Sequence, residues 1–286
     1  MRGEINMIRR NQSEDESTVE RQSWLTEQHQ EYLAFQNKQR RNVLSVQLSL
    51  LLLFFIIWET AGRLRWIDVL LFSFPTKIFN HIIQDIMSGE IWRHIGTTVG
   101  ETVIGFLLGT LLGTGLAIVL WWSPFISKVL DPYMVVFNSM PKVALGPLFI
   151  VVFGAGFMAI VVTTLSVIVI ITTLVVYNSF SEVDSNLVKV IQTFGGSRYH
   201  IFRKVIFPAS FPAIISTLKV NVGLAWVGVI VGEFLVAQMG LGYLIIYGFQ
   251  VFNFTLVMSS LFIIAVVATV MYQIVVYMER KLLTHK

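Results

Sequence analysis

Residues 102–127 read TVIGFLLGTLLGTGLAIVLWWSPFIS, with no charged side chain between Glu101 and Lys128. A helix needs roughly 20 consecutive apolar residues to cross the hydrocarbon core of a bilayer, and this stretch supplies them. The interval from Lys142 to Glu182 is equally free of charge and continues a pair of crossings. Lipid offers no partners to exposed N–H and C=O groups, so a spanning segment must be a helix or part of a closed barrel. Barrel strands alternate apolar and polar residues, whereas these runs are continuous. The reading is an all-α integral membrane protein.

Composition agrees with the pattern. Of 286 residues, 55% are hydrophobic and 13% charged, about half the charge of a typical soluble domain. The net charge of +4 points to topology and not to nucleic acid, because the basic residues flank the apolar runs. Cysteine is absent, which excludes a disulfide framework and a thiolate metal site. No glycine is followed by Lys-Ser or Lys-Thr, so a phosphate-binding Walker A loop is missing. The histidines are scattered, with no His-Glu-x-x-His. The chain is therefore expected to be no enzyme, to bind no metal or cofactor itself, and not to hydrolyse ATP.

The apolar runs divide the chain. Residues 1–41 are polar and are expected to form a cytoplasmic tail, in which Trp24, Leu25, Tyr32 and Phe35 are candidates for one face of a short helix. Residues 42–60 form the first transmembrane helix, read as an uncleaved span because the polar stretch before it is too long for a usual signal. Residues 61–93 make an external connection, in which Ile78, Phe79, Ile82, Ile83 and Ile86 recur at helical spacing between Pro75 and Gly89. Such a helix suits the membrane surface. Residues 94–282 hold five further spans, at 95–120, 131–153, 157–180, 214–237 and 255–278, with a polar break at 181–213. Six spans with both ends in the cytoplasm put 15 basic residues inside and leave Arg63, Arg65, Lys77 and Arg93 outside. Gly105, Gly109 and Gly113 form a small-residue ridge, a spacing repeated by Gly228 and Gly232, which indicates close helix packing.

The break at 181–213 carries the most chemistry. Leu187, Val190, Ile191 and Phe194 stand at i, i+3, i+4 and i+7, the apolar stripe of a short helix. Gly195-Gly196 is expected to stop that helix, and Ser197 to cap a second one over Arg198–Ile206 that includes Ile201 and Phe202. Pro208 and Pro212 are expected to end it and turn the chain toward the next span. Spacing alone leaves this elbow as either a coupling device or an ordinary cytoplasmic loop.

Ser181–Pro212 resembles the cytoplasmic "EAA" loop of ABC importer permeases, with Gly195 at the loop's characteristic glycine and Ile206-Phe207-Pro208 where Leu-Pro usually stands. The surrounding chain resembles the sulfonate/taurine/nitrate branch of that family. The matching features are Phe74-Pro75-Thr76, Met140-Pro141-Lys142 with Gly146-Pro147, Val183-Asp184, Ala225-Trp226-Val227-Gly228 with Glu233, and Gly240-Leu241-Gly242-Tyr243. The resemblance covers about residues 72–282. It departs at Lys189-Val190-Ile191, which stands where Glu-Ala-Ala is usual and reverses a charge.

The resemblance implies a type I ABC importer (MetI-like) permease fold in a bacterial cell membrane. It also implies an ATP-binding cassette ATPase partner that carries ATP and Mg, an extracellular solute-binding protein and a second, identical permease copy. The second helix of the loop would be the coupling helix seated in the ATPase. A sulfonate, taurine, nitrate, bicarbonate or a thiamine pyrimidine precursor lies within its reach as solute.

Four residues are candidates for the transport path. Lys142 follows Pro141 in a proline-rich span and suits an anion, or else snorkels to an interface. Glu233, near the end of the fifth span, either gates or pairs with a base, and Trp226 is the fourth candidate. Glu101 is expected at a helix N-terminus, and Lys219 and Asp131 as interfacial anchors. The rival reading of the whole chain is an ion-gradient-driven secondary transporter, which would show related halves around intramembrane acids. No convincing internal repeat is present.

Overall fold

The computed structural model describes Tyr32, Phe35, Gln36 and residues 38–284; the reading of the N-terminal tail falls largely outside these residues. Among the described residues every regular element is helical. The chain divides into two units, one up to Trp66 and one from Ile67 onward.

The first unit holds helix α1, Lys38–Arg63, longer at both ends than the sequence suggests. Its central part is apolar all round, with Leu44, Leu48, Leu52 and Phe54 exposed, the mark of a membrane span. Near its end Thr60 Oγ1 donates to the Ile56 carbonyl at 2.6 Å, and Glu59 pairs with Arg63 at 2.6 Å.

The second unit begins with a short helix, α2 (Val69–Phe72), followed by α3 (Pro75–Ser88). Pro75 sits in the first turn of α3 and Gly89 closes it in the left-handed conformation. Ile78 is buried and Ile82 packs on the core, whereas Phe79, Ile83 and Ile86 stay exposed. The expected apolar stripe is therefore only partly used within the chain.

Three long helices build the core: α4 (Ile91–Trp122), α7 (Phe157–Ser181) and α10 (Phe207–Val236). Glycine decides how closely they approach. A Cβ placed on Gly105 would lie 2.6 Å from Thr164 Cγ2, and one on Gly228 would lie 2.7 Å from Thr164 Cα. The small-residue faces of α4 and α10 thus grip the same turn of α7. Dispersion and interhelical hydrogen bonds, and not water exclusion, hold helices together in lipid. Asn221 supplies such bonds, accepting from Thr172 Oγ1 at 3.1 Å and donating to Thr110 Oγ1 at 2.9 Å. One side chain ties all three helices.

The span expected at 131–153 is not continuous. It consists of α5 (Pro124–Ser139), a 3-10 turn (Lys142–Leu145) and α6 (Gly146–Phe153), bent by 91° at the break. Pro141 cannot donate a backbone hydrogen bond, and it pushes Met140 to an extended conformation, so the helix stops there. Beyond α10, the ten-residue helix α11 (Leu241–Gln250) is apolar but too short to cross. The sequence reading assigns no element between the spans at 214–237 and 255–278. The last helix, α12 (Phe254–Thr284), spans again.

Candidate functional site

The segment 181–213 folds into two helices of different character. Helix α8 (Ser185–Thr193) starts at Asp184, whose carboxylate accepts from the Asn186 N–H at 2.8 Å. Gly195 follows with φ +73°, a conformation glycine adopts without a Cβ penalty. The Gly196 N–H returns to the Ile191 carbonyl at 2.9 Å, closing the helix end. Gly196 itself lies tight against Ile191, leaving no room for a larger residue.

Helix α9 (Arg198–Ile201) begins after Ser197, whose N–H donates to His200 Nδ1 at 3.3 Å. It does not end at the prolines. It runs through a π turn, Phe202–Ile206, directly into α10, so Arg198–Val236 is one helical rod. The expectation that Pro208 and Pro212 turn the chain is corrected here. Pro208 occupies the first turn of α10, where the Phe207 N–H has already reached back five residues to Phe202. That wider turn accommodates a residue with no N–H to donate.

The two helices pack differently. Ile201 and Ile206 are buried with Ala117, Val176 and Phe180, and Phe202 makes tilted and edge-to-face contacts with Trp121, Trp122 and Phe180 at centroid distances of 5.1, 6.0 and 5.7 Å. Arg198 lies 5.2 Å over the Trp121 ring and donates to the Trp121 carbonyl at 2.8 Å. The second helix is a foundation. The apolar stripe of α8 is split: Val188 and Ile191 pack inward on the same cluster. Leu187, Val190 and Phe194 point away, 50%, 50% and 85% exposed. It is the first helix that offers an unsatisfied apolar face. Lys189, around the helix from that face, lines a cleft between α8 and the ends of α4 and α7.

The four path candidates do not converge. Lys142 sits at the 91° break, and its Nζ donates to the Asn138 carbonyl at 2.9 Å, satisfying a group that the end of α5 leaves free. Pro141 creates that end. Trp226 is 6% exposed, within a cluster formed with Val222 and Val275 and flanked by Phe106 and Met271. Its indole N–H has no hydrogen-bond partner.

Glu233 is buried, 1% exposed. It accepts from Thr98 Oγ1 at 2.7 Å and from the Gly242 N–H, and adjoins the carboxyl of Glu101. Thr98 Oγ1 in turn accepts from the Leu241 N–H at 2.8 Å. Glu101 lies three turns inside α4, which starts at Ile91, so it is a core residue and not a helix-terminal one. His94 completes the group, linked to Gly240 at 3.1 Å and stacked on Tyr243. Sequence reasoning found Glu233 and the Gly-Leu-Gly-Tyr motif separately but did not connect them. Lys219, read as an anchor, pairs with Glu279 at 3.0 Å and ties α10 to α12.

Long apolar helices packed through small residues, with one span broken at a proline, mark an integral membrane protein. The chain belongs to the family of binding-protein-dependent transport system inner membrane components, which matches residues 105–284. It is 28% identical over 230 residues to the putative aliphatic sulfonates transport permease protein SsuC of Bacillus subtilis, covering 79% of this chain and 82% of that one. It is 30% identical over 248 residues to the riboflavin transport system permease protein RibX of Chloroflexus aurantiacus, covering 84% and 88%. A bacterial ABC transporter involved in import of the acidic polysaccharide alginate has the same fold, with a TM-score of 0.62 at 15% identity, over 86% of this chain and 98% of that one. The protein is thus an ABC-type importer permease of the bacterial inner membrane with the fold expected from its sequence.

Proposed function

We propose that the chain translocates a small, anionic organic solute such as a sulfonate or taurine, driven by a separate ATP-binding cassette ATPase that docks on α8. The carrying observation is the outward face of Leu187, Val190 and Phe194 on a helix held rigidly to the span ends. A large apolar side chain left 85% exposed beyond the membrane is the usual anchor of a protein interface. In this reading 181–213 and both chain ends are cytoplasmic. An extracellular binding protein delivers the solute, and a second copy of the chain completes the pathway.

The mechanism follows from stiffness. Force applied to α8 passes through Ile191 and Val188 into the Phe180–Ile201–Ile206 cluster and on to α4 and α7. The Arg198–Val236 rod carries the same displacement across the membrane. ATP, with Mg, is bound and hydrolysed in the partner. Lys142 is the cation placed for an anion, at a backbone break where the helix no longer uses all its carbonyls. Gentle purification of the tagged protein from its native membrane, followed by mass spectrometry, tests the reading. A stoichiometric ATPase that is lost in the Phe194→Glu variant is expected; an unaccompanied, folded permease would direct attention to ion-gradient-driven uptake.

A further inference from the structure

A cleft of about 450 Å³ opens between α8 and the ends of α4 and α7. Leu120, Phe180 and Ile206 make its apolar floor, and Ser181, Gln192 and Lys189 stand among its polar lining residues. No acidic side chain lines it. Asp184 is committed to the start of α8. Trp121 also faces the cleft, and Arg198 lies over its indole, so a second cation borders the opening. The floor lies where the apolar spans end, at Trp122 on α4 and Ser181 on α7. On α5, Phe125 and Val129 continue from Pro124 at the cleft as exposed apolar surface.

We propose that this cleft seats an anionic phospholipid, with an acyl segment on the Leu120–Phe180 floor and the acidic head at Lys189. The two halves of the lining match the two halves of the ligand: dry, apolar surface at membrane level, and hydroxyl, amide and ammonium groups above it. Basic pockets at the membrane boundary recognise anionic headgroups by this combination. The volume holds part of one chain and not a whole lipid, so the remainder extends along α5. It also gives the Lys189 departure a physical role, since a carboxylate at that position would repel the same headgroup. The seat lies directly beneath α8, so its occupant stiffens or loosens the helix that transmits force. The choice of leaflet rests on the cytoplasmic reading of 181–213.

The test uses the full chain in nanodiscs of phosphatidylcholine doped with phosphatidylglycerol, released for native mass spectrometry. Wild-type protein is expected to retain phosphatidylglycerol above its bulk share. Lys189→Gln is expected to reduce that retention about fivefold, the effect of one cation near a headgroup. Gln192→Phe, which fills the cleft, is expected to release the bound lipid. Lys77→Gln, a basic residue on α3 outside the lining, serves as the control. Unchanged retention in Lys189→Gln, an equal loss in Lys77→Gln, or displacement of the lipid by a soluble alkylsulfonate would each overturn the proposal. ATPase capture by the same variants is scored separately. Loss of lipid with the ATPase still bound supports the seat and leaves the coupling reading intact; normal lipid retention without any ATPase removes the coupling reading alone.

Discussion

The carboxylate of Glu233, on α10, accepts the backbone N–H of Gly242, nine residues further along, and so folds the start of α11 back onto the end of the preceding span. The same carboxylate takes the Thr98 hydroxyl, whose oxygen receives the Leu241 N–H. Two amides at the N-terminus of α11, which no carbonyl within that helix can satisfy, are met by this arrangement. Glu233 therefore positions the start of α11.

Glu233→Ala is expected to free the Gly242 amide and the Thr98 hydroxyl and to destabilise the protein by about 1–3 kcal/mol, the cost of leaving a buried hydrogen-bonding group unmatched. The measurement is hydrogen exchange by mass spectrometry on 240–250, together with thermal unfolding in detergent. Glu233→Gln keeps an acceptor and is expected to fall between the two. Exchange in Glu233→Ala indistinguishable from wild type would show that α11 is held by its packing on α12 alone.

Glycines of α4 should divide into two classes. Gly105, Gly109 and Gly113 face α7, with added Cβ atoms meeting Thr164, Ile168 and Thr172 at 2.6, 2.8 and 2.6 Å. Gly96, Gly100 and Gly115 have nothing within 4 Å. Ala at Gly105 or Gly113 is expected to cost about 1–3 kcal/mol through overpacking. Ala at Gly100 or Gly115 should be neutral or slightly stabilising, since Ala is the better helix former. Thermal unfolding of the four single variants reads the difference, and equal shifts would remove close approach as the reason for the ridge.

Legibility followed the physics of each element. The charge-free runs announced the spans because a bilayer imposes one requirement, length without charge, that is local in sequence. The Gly105–Gly109–Gly113 ridge was legible for the same reason: its spacing is that of one helix face. The break at Pro141 was missed because proline is common in membrane helices and often only bends them. The uninterrupted passage of α9 into α10 was missed because a π turn leaves no pattern in composition. The role of Glu233 lay beyond reach, since its partners come from 98, 101 and 242, positions no local spacing relates. Helix α11 was within reach: Leu241, Ile245 and Gly248 recur at helical spacing and are all buried.

Gly195→Val places a β-branched residue at φ +73°, a conformation that costs a side chain about 1–2 kcal/mol. Gly195 has open space around it, so the effect is conformational and confined to the elbow. Insertion and thermal stability are expected to change little, while solute uptake and ATPase stimulation fall together. Gly196→Val adds a collision with Ile191 and should lose ATPase association as well. Normal uptake by both variants would separate the elbow from coupling.

Lys142→Met separates the two uses of the only cation at the α5–α6 break among the described residues. Its ammonium group now satisfies the Asn138 carbonyl at 2.9 Å, and one bond of this kind leaves two further N–H donors free. If the residue serves only to finish α5, methionine removes one exposed hydrogen bond, worth about 0.5–1.5 kcal/mol, and transport persists. If it serves an anion, the loss falls on uptake: the variant should assemble with its ATPase, hydrolyse ATP, and carry the solute at a small fraction of the wild-type rate. Lys142→Arg, which keeps the charge at similar reach, should restore part of that rate. Uptake in proteoliposomes, normalised to assembled complex, distinguishes the two, and equal rates for Met and Lys at this position would return Lys142 to a structural role.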